Sequence, residues 1–320
     1  MFLKKEGKKM GKKRLITRSD FDGLVCAMLF KELDMIDEIK FVHPKDVQDG
    51  KIDITENDIT TNLPFDPRVG LAFDHHESEL TRNKADEYQG KFVIVGGAKS
   101  AARVVYDYYG GQERFKVVNP EIMEAVDKGD SADFTEEEIL NPTGWVLMDF
   151  IMDARTGLGR FHEFRISNYD LMMELIDYCV DHNIDEVLAL PDVKERVDMY
   201  FKQQDLFKEQ LERLVKIYDK VAVIDLRNEE TIYTGNRFMV YAMHPEIEIS
   251  VHVAWGFKKQ NTAVMIGKSI INRNSKYDIG ELCLSYGGGG HTNAGTCQID
   301  NDKIDTELPI IIDKINKGIF

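Results

Sequence analysis

Short apolar runs alternate with amphipathic stretches over the first third of the chain, from Lys13 to Val95. This alternation predicts strand–helix–strand units and a largely parallel sheet. The predicted strands are Lys13–Thr17, Glu38–His43, Asp58–Asn62, Val69–Asp74 and Lys91–Val95, and the first predicted helix is Leu24–Leu33. Ligand sites in open α/β sheets lie outside the carboxyl ends of the strands. Polar residues that directly follow a strand are therefore the candidates for chemistry.

The pattern becomes mostly helical between Lys99 and Lys220, with the strongest helical periodicity in Ser100–Tyr109, Glu121–Asp127, Tyr169–His182 and Asp192–Lys216. The last of these is long and heavily charged, and its apolar residues form one stripe. Such a stripe favours a helix that connects two domains. For the stretch from Phe134 to Asp192 we expect either a lid over the site or a contact in a homodimer.

Beyond Val221 the apolar runs become strand-like again. The predicted strands are Val221–Leu226, Arg237–Ala242, Ile249–Ala254, Thr262–Ile266 and Ala294–Ile299, with a helix over Ile279–Leu284. The predicted fold class is therefore α/β, with a mainly parallel sheet over residues 13–190. A helical connector is predicted over 191–220, and a smaller α/β domain over 221–320.

Composition agrees with two globular domains, since the chain has 320 residues, 43% of them hydrophobic and 30% charged. The four cysteines show no CxxC spacing, which argues against a disulfide framework or a thiolate zinc site. No apolar run approaches the roughly 20 residues of a membrane span, and no signal peptide is visible. We therefore expect a cytoplasmic protein without a membrane partner.

The formal net charge of −15 argues against a surface that coats long nucleic acids, because such surfaces neutralise many phosphates. A small phosphorylated substrate or a short oligonucleotide remains compatible with this charge. The basic segment from Lys4 to Arg14 is interpreted as a tail, with a polyanion-binding arm as the alternative. Met10 is an alternative natural start.

Carboxylates and histidines cluster at the predicted strand ends. Asp20 and Asp22 follow the first strand and can converge on one divalent cation if the turn is tight. Asp74, His75 and His76 close a buried-looking strand. Adjacent histidines can divide their roles, one ligating a metal and the other facing the substrate. Asp130 adds a carboxylate in a predicted loop beyond a helix, where surface solvation is the alternative interpretation.

Four consecutive glycines, Gly287–Gly290, precede His291 near the carboxyl end. A helix or strand interior made of glycine loses much conformational entropy, so we expect the run to permit a close backbone approach. A phosphate or nucleotide held by exposed amides, with His291 and Asn293 beside it, is the leading candidate. A flexible linker is the alternative.

These motifs, in this order, resemble those of the DHH phosphoesterase superfamily in its DHHA1 branch. The resemblance rests on Asp20-Phe21-Asp22-Gly23, Asp74-His75-His76-Glu77, Asp130-Ser131 and Gly287–His291, and it spans residues 14–299. Within that branch the chain resembles the exopolyphosphatase-like proteins most. Members of the branch are typically manganese enzymes with a substrate-gripping second domain, so the resemblance implies Mn²⁺ or Mg²⁺ as the cofactor.

The resemblance implies a role for each matching position. Asp20, Asp22, His75 and Asp130 match metal ligands, His76 matches the partner of the reacting phosphate, and Asp74 matches a ligand or an orienter of the histidines. Gly288, Gly289, Gly290, His291, Asn293 and Arg273 match substrate-binding positions, and Ser269 and Asn272 lie in the same stretch as Arg273.

Two positions depart from the family pattern. Arg18 stands where the family has a ligand histidine, and Asn62 aligns with the bridging aspartate. An arginine charge and a neutral amide should weaken the binding of two dications. Three outcomes follow from the residues: Arg18 replaces one of two ions, the site binds without chemistry, or another carboxylate supplies the bridge.

The predicted function is a metal-dependent phosphohydrolase, acting as a phosphodiesterase on short oligonucleotides or small nucleotides. Exopolyphosphatase-type cleavage of phosphoanhydrides is an alternative within the enzyme class. A catalytically degenerate nucleotide-binding or phosphate-binding protein is the alternative outside it, motivated by Arg18 and Asn62.

Overall fold

The computed structural model describes residues 11–76 and 91–319 and divides into two compact units. The first unit contains Met1–Ser131 and Arg165–Leu190, and the second contains Ala132–Phe164 and Pro191–Phe320. Residues 132–164, which the sequence pattern placed with the first domain, thus pack with the second unit. Lys4, Met10 and Glu77 lie outside the described residues.

The first unit contains a parallel sheet of five strands in the order β2-β1-β3-β4-β5, as far as the described residues go. Its strands are β1 (Lys13–Arg18), β2 (Ile36–Val42), β3 (Asp58–Thr61), β4 (Leu71–Asp74) and β5 (Phe92–Ile94). Because all strands run the same way, β1, β3 and β4 deliver their carboxyl ends to one edge of the sheet.

The described helices are numbered in chain order across both units. They are α1 (Phe21–Glu32), α2 (Pro44–Gln48), α3 (Ala101–Tyr108), α4 (Pro120–Asp130), α5 (Glu136–Leu140), α6 (Gly144–Met152), α7 (Asn168–Tyr178), α8 (Ile184–Ala189), α9 (Pro191–Leu214), α10 (Met239–Met243), α11 (Ile279–Ser285) and α12 (Ile304–Lys317). Among them, no helix combines the length and the apolar character needed to cross a bilayer.

Helix α1 forms the centre of the first unit, and every residue from Phe21 to Phe30 is buried. It packs against β1, α3, α4 and α7, which explains why it is apolar on all sides. Gly23 permits this packing, because a Cβ at that position would lie 1.9 Å from the Arg18 carbonyl oxygen. The start of α1 is thereby fixed directly against the end of β1.

The second unit has a mixed sheet in the order β10-β11-β9-β8-β7-β6 within the described residues. The strands are β6 (Val215–Tyr218), β7 (Val221–Asp225), β8 (Ile249–Trp255), β9 (Thr262–Lys268), β10 (Gly289–His291) and β11 (Ala294–Ile299). Only the β7–β8 pair is parallel among these pairings. The valines and isoleucines of β7, β8 and β9 form a core with α11 and α12.

The predicted strand over Arg237–Ala242 is wrong, because Met239–Met243 forms the short helix α10. Met239 to Ala242 are all buried and Met243 is also apolar, so no alternation of polar positions distinguishes a strand from a helix there. The Tyr241 hydroxyl lies 2.7 Å from Ser250 Oγ and donates to the Gly267 carbonyl oxygen at 3.0 Å. These contacts hold the helix against β8 and β9.

Candidate active site

The candidate site lies at the carboxyl edge of the parallel sheet in the first unit. Arg18 is the last residue of β1, Asn62 follows β3, and His75 and His76 follow β4. Because β1, β3 and β4 are neighbours in the sheet, residues far apart in sequence meet at this edge.

His75 presents one ring nitrogen toward two carboxylates. Its Nδ1 lies 3.0 Å from the Ala98 carbonyl oxygen, which can only accept a hydrogen bond, so Nδ1 carries the proton. In the neutral ring Nε2 then carries a lone pair, and it lies 2.8 Å from Asp130 Oδ2. Burial lowers the pKa of His75, but the carboxylates of Asp130 and Asp22 raise it to about 9.

Asp22 and Asp130 complete a buried group of three. The ligand atoms of Asp22, His75 and Asp130 all lie within 4.8 Å of one another. Asp22 accepts hydrogen bonds from the backbone N–H groups of Ala101 (3.1 Å) and Ala102 (2.8 Å), at the start of α3. Burial, together with the negative charges of Asp130 and Asp20, raises the pKa of Asp22 well above its usual value.

This donor set fits a divalent cation such as Mn²⁺ or Mg²⁺. Two carboxylates and one imidazole nitrogen are close, and the carboxylates repel each other without a positive charge between them. Neither His75 Nε2 nor Asp130 Oδ2 has a partner with hydrogen-bond geometry among the described residues, although both atoms are buried. The Ala98 carbonyl supplies the outer hydrogen bond that metal-ligating histidines typically make.

Asp74 holds His76 in one orientation. Asp74 Oδ1 accepts hydrogen bonds from His76 Nδ1 at 2.7 Å and from the backbone N–H of His75 at 2.8 Å. Asp74 is buried, whereas His76 is half-buried. A carboxylate at Nδ1 directs Nε2 of His76 away from Asp74. Of the two roles expected for Asp74, its hydrogen bonds favour that of an orienter.

Asp20 is tied to other partners and does not join the group of three. Its Oδ2 lies 2.9 Å from Arg18 Nε, and its Oδ1 accepts from the backbone N–H of Gly23 at 3.0 Å. The turn at the start of α1 therefore separates the two aspartates that were expected to converge. Burial raises the pKa of Asp130, but His75, then His76 and Arg18, outweigh burial, so the pKa lies below its usual value.

Asn62 occupies a strained and buried position at the end of β3. Its φ of 53° lies in the left-handed region, and its side chain is 3% exposed. Neither Oδ1 nor Nδ2 has a hydrogen-bond partner within the described residues. Strained, unsatisfied buried groups are typical of functional sites. Asn62 is nevertheless outside the group formed by Asp22, His75 and Asp130.

A supporting network behind the site was missed from the sequence. Asp127 accepts hydrogen bonds from Ser100 Oγ at 2.8 Å and from Arg103 Nη2 at 2.7 Å. These bonds join α4, which ends at Asp130, to the start of α3, where Asp22 binds. The signal available in the sequence was the three-residue spacing of Asp127 and Asp130, which places both on one helix face.

The glycine run of the second unit is ordered by its own hairpin. Gly289–His291 form the short strand β10, which pairs with β11 and was not predicted from the sequence. A Cβ at Gly288 would lie 2.2 Å from the Thr296 carbonyl oxygen, and one at Gly290 would lie 2.4 Å from that of Ala294. The close backbone approach predicted for the run is therefore made by β11. Gly289 has no described atom within 4 Å of such a Cβ.

The other predicted substrate-binding residues of the second unit lie in loops, except His291, which ends β10. Arg273 Nη2 donates to the Ala132 carbonyl oxygen at 2.8 Å, and Asn272 Nδ2 donates to that of Glu246 at 3.0 Å. Ser269 Oγ accepts the backbone N–H of Asn272 at 3.0 Å. Asn293 accepts the Lys268 N–H through its backbone carbonyl, and His291 is exposed at the end of β10.

No protein-family profile matches the chain, and neither does any curated protein. Among solved structures, the chain is similar to the pGpG-specific phosphodiesterase PggH from Vibrio cholerae. The two are 55% identical with a TM-score of 0.82, over 96% of this chain and 100% of that one. RecJ from Thermus thermophilus, solved with Mg²⁺, is 13% identical with a TM-score of 0.50, over 96% of this chain and 50% of that one. The second similarity shows the fold alone.

Proposed function

The chain belongs to the DHH/DHHA1 phosphoesterase superfamily and is a hydrolase of phosphoester bonds, and we propose that its substrates are 5′-phosphorylated dinucleotides such as pGpG. The 55% identity to a pGpG-specific phosphodiesterase along the whole chain supports this substrate class. The observation that carries the proposal is the buried group of Asp22, His75 and Asp130.

We assign metal binding to those three residues and propose that one divalent ion is sufficient. Asp20, the further carboxylate expected as a ligand, is held by Arg18 and by the N–H of Gly23. Asn62 offers a neutral amide where a second ion would need a bridging carboxylate. When bound, a divalent cation supplies positive charge against the phosphate and lowers the pKa of a water molecule.

His76 and Arg18 act on the phosphoryl group in this proposal. Asp74 fixes the ring of His76 through Nδ1, so Nε2 is the atom that binds or protonates a phosphoryl oxygen. Arg18 contributes a planar guanidinium that can hold two phosphoryl oxygens at once. It stabilises the negative charge that develops in the transition state.

We also propose that His291 and Asn293, with the backbone amides of the hairpin formed by β10 and β11, bind substrate within the second unit. The hairpin is already ordered by pairing with its own backbone, so its exposed N–H groups need no rearrangement to meet an anion. A cytoplasmic location is supported by the four cysteines, all buried free thiols.

The test is hydrolysis by the full chain with Mn²⁺, using pGpG, bis-para-nitrophenyl phosphate and polyphosphate as substrates. We expect hydrolysis of both phosphodiesters, and a loss of about 10²-fold or more in kcat/KM for Asp22→Asn and His75→Gln. Asp66→Asn is the matched control, because Asp66 pairs with Arg68 outside the site and should leave activity unchanged. Wild-type rates in folded Asp22→Asn and His75→Gln, or cleavage of polyphosphate alone, would refute the proposal.

A further inference from the structure

The second unit contains a cluster of two arginines around one aspartate that the proposed chemistry does not use. Asp153 follows α6, Arg155 lies two residues later, and Arg237 precedes α10. The Arg155 backbone N–H and its Nε each donate to Asp153 Oδ1 at 2.8 Å. Arg237 Nε lies 3.5 Å from Asp153 Oδ2, which is a long hydrogen bond. Arg155 therefore takes the carboxylate, and Arg237 has a weak share of it.

Arg237 is held in place without a full counter-ion. Its guanidinium carbon lies 3.9 Å from the centre of the Phe238 ring, and 36% of its side chain is exposed. Among the described residues, Asp153 is its sole hydrogen-bond acceptor. Because more than a third of the side chain is exposed, the guanidinium donors that Asp153 does not use can meet an anion from solvent.

Among the described residues, the other groups near Arg237 do not supply such an anion. The Tyr241 hydroxyl is already bonded to Ser250 and Gly267, and burial raises its pKa. Burial lowers the pKa of His252 to about 4, with a smaller contribution from the Arg237 charge, so its ring is neutral at pH 7. Burial lowers the pKa of Arg237 to about 10, with a smaller contribution from repulsion by Arg155. Arg237 is therefore still positively charged at pH 7. In the part of the chain that the structure describes, Arg237 is thus a cation that is paired only weakly, with Asp153.

We propose that Arg155 and Arg237 form an oxyanion site for the dianionic phosphate monoester of a nucleotide. A guanidinium presents parallel N–H donors that match two phosphate oxygens, and a second guanidinium nearby favours a dianion over a carboxylate. The nucleotide assignment, though not the site, rests on the proposed function. Two sources offer the same group: the 5′-phosphate of the dinucleotide substrate and that of the mononucleotide product.

The binding experiment needs no hydrolysis and uses the full chain with EDTA. We expect GMP, measured by calorimetry, to bind wild type, and to bind Arg237→Gln about 10- to 100-fold more weakly. Guanosine, which lacks the phosphate, should bind both proteins equally. Arg213→Gln is the matched control, because Arg213 is an exposed arginine of the second unit already bonded to Glu229. Unchanged GMP affinity in Arg237→Gln, or a loss confined to Arg18→Gln, would overturn the site.

The kinetic experiment distinguishes the two sources. If the site holds the substrate, Arg237→Gln raises KM for pGpG about 10-fold or more and leaves KM for GpG unchanged. If it holds the product, KM stays constant and inhibition by GMP is lost. Hydrolysis of bis-para-nitrophenyl phosphate should be unaffected in both cases, which shows that the active site is intact. A variant in which neither KM nor GMP inhibition changes would overturn the nucleotide assignment.

Discussion

The side chain at position 18 affects how many divalent ions the proposed site can bind. Arg18 Nε lies 2.9 Å from Asp20 Oδ2, and Asp20 lies outside the group formed by Asp22, His75 and Asp130. The double substitution Arg18→His with Asn62→Asp replaces a cation by a ligand and adds a carboxylate. We expect this variant to bind two Mn²⁺ ions where wild type binds one, as counted by anomalous scattering and by elemental analysis.

The single substitution Arg18→Gln is the control for this prediction. It removes the charge without adding a ligand, so it should keep one ion and lose about 10²-fold in kcat. Two well-occupied ions in wild-type protein would contradict the role given to Arg18. So would an Arg18→Gln variant with undiminished kcat.

At the level of single residues, the sequence predicted that certain polar side chains near the strand ends would lie together. His75 and Asp22 each follow a strand of the parallel sheet, and the rules for such sheets place them together. The sequence could not show that Asp20 turns away toward Arg18, because that depends on the side-chain directions in the first turn of α1. Nor could it show the Ala98 carbonyl, since a backbone group leaves no mark in the sequence.

In the hairpin of β10 and β11, one glycine is required by close packing and its neighbour is not. A Cβ at Gly290 would lie 2.4 Å from the Ala294 carbonyl oxygen, whereas one at Gly289 would meet no described atom within 4 Å. We expect Gly290→Ala to destabilise the second unit by roughly 1–3 kcal/mol, because β11 must shift. Gly289→Ala should change stability by less than about 1 kcal/mol. Urea unfolding of both variants measures the difference.

The same pair of variants tests the binding role of the glycine run. If the amides of β10 hold substrate closely, Gly289→Ala should raise KM for pGpG while its unfolding midpoint stays near that of wild type. Equal stability losses in both variants would mean that the hairpin is packed differently from the structure described above.

An ion pair between β1 and β3 links the sheet and makes its stability depend on pH. Arg14 Nε and Nη2 donate to Asp58 at 2.8 and 3.0 Å, and the Thr55 N–H adds a bond of 2.6 Å. Burial raises the pKa of Asp58, but these bonds outweigh it, so the folded pKa lies below the usual value. The unfolded state therefore takes up the proton first as pH falls. The stabilisation is complete above about pH 4 and is lost below it.

We expect Asp58→Asn to lower the free energy of unfolding by about 2–3 kcal/mol at pH 7. The deficit relative to wild type should shrink as pH falls below about 4. Urea unfolding curves across this range provide the measurement. Asp66→Asn is the control, because Asp66 pairs with Arg68 in the same loop and should cost under about 1 kcal/mol. A deficit for Asp58→Asn that is independent of pH would contradict the ion-pair account.

The elements that the sequence predicted well are those with a clear period or a clear boundary. Parallel strands β1 to β5 are short apolar runs between polar segments, and each was placed to within about two residues. Helix α10 was mistaken for a strand, because burial on all sides removes the period that distinguishes the two. Strand β10 was missed, because a glycine run has no side-chain pattern and forms a strand only through its partner β11.

At the scale of the whole molecule, the balance of charge limits the length of substrate. The formal net charge is −15, from 41 basic and 56 acidic residues. Like charge repels a polyanion at long range, and the repulsion grows with each added phosphate. Two local groups of positive charge oppose it, Arg18 at the sheet edge and Arg155 with Arg237 in the second unit. The acidic net charge therefore favours a substrate with few phosphates over a long polyanion.

We therefore expect kcat/KM to fall steeply with length, by about 10²-fold from pGpG to a 5′-phosphorylated RNA of roughly 12 nucleotides. Salt provides an independent measurement. For a single-stranded ligand, the slope of log affinity against log salt is about −0.7 per phosphate neutralised. Because pGpG carries two phosphates, its slope should be no steeper than about −1.4. A longer RNA cleaved as fast as pGpG, with a slope steeper than about −4, would mean that a basic track binds many phosphates. In that case the acidic net charge would not govern substrate choice, and the chain would act as a processive exonuclease.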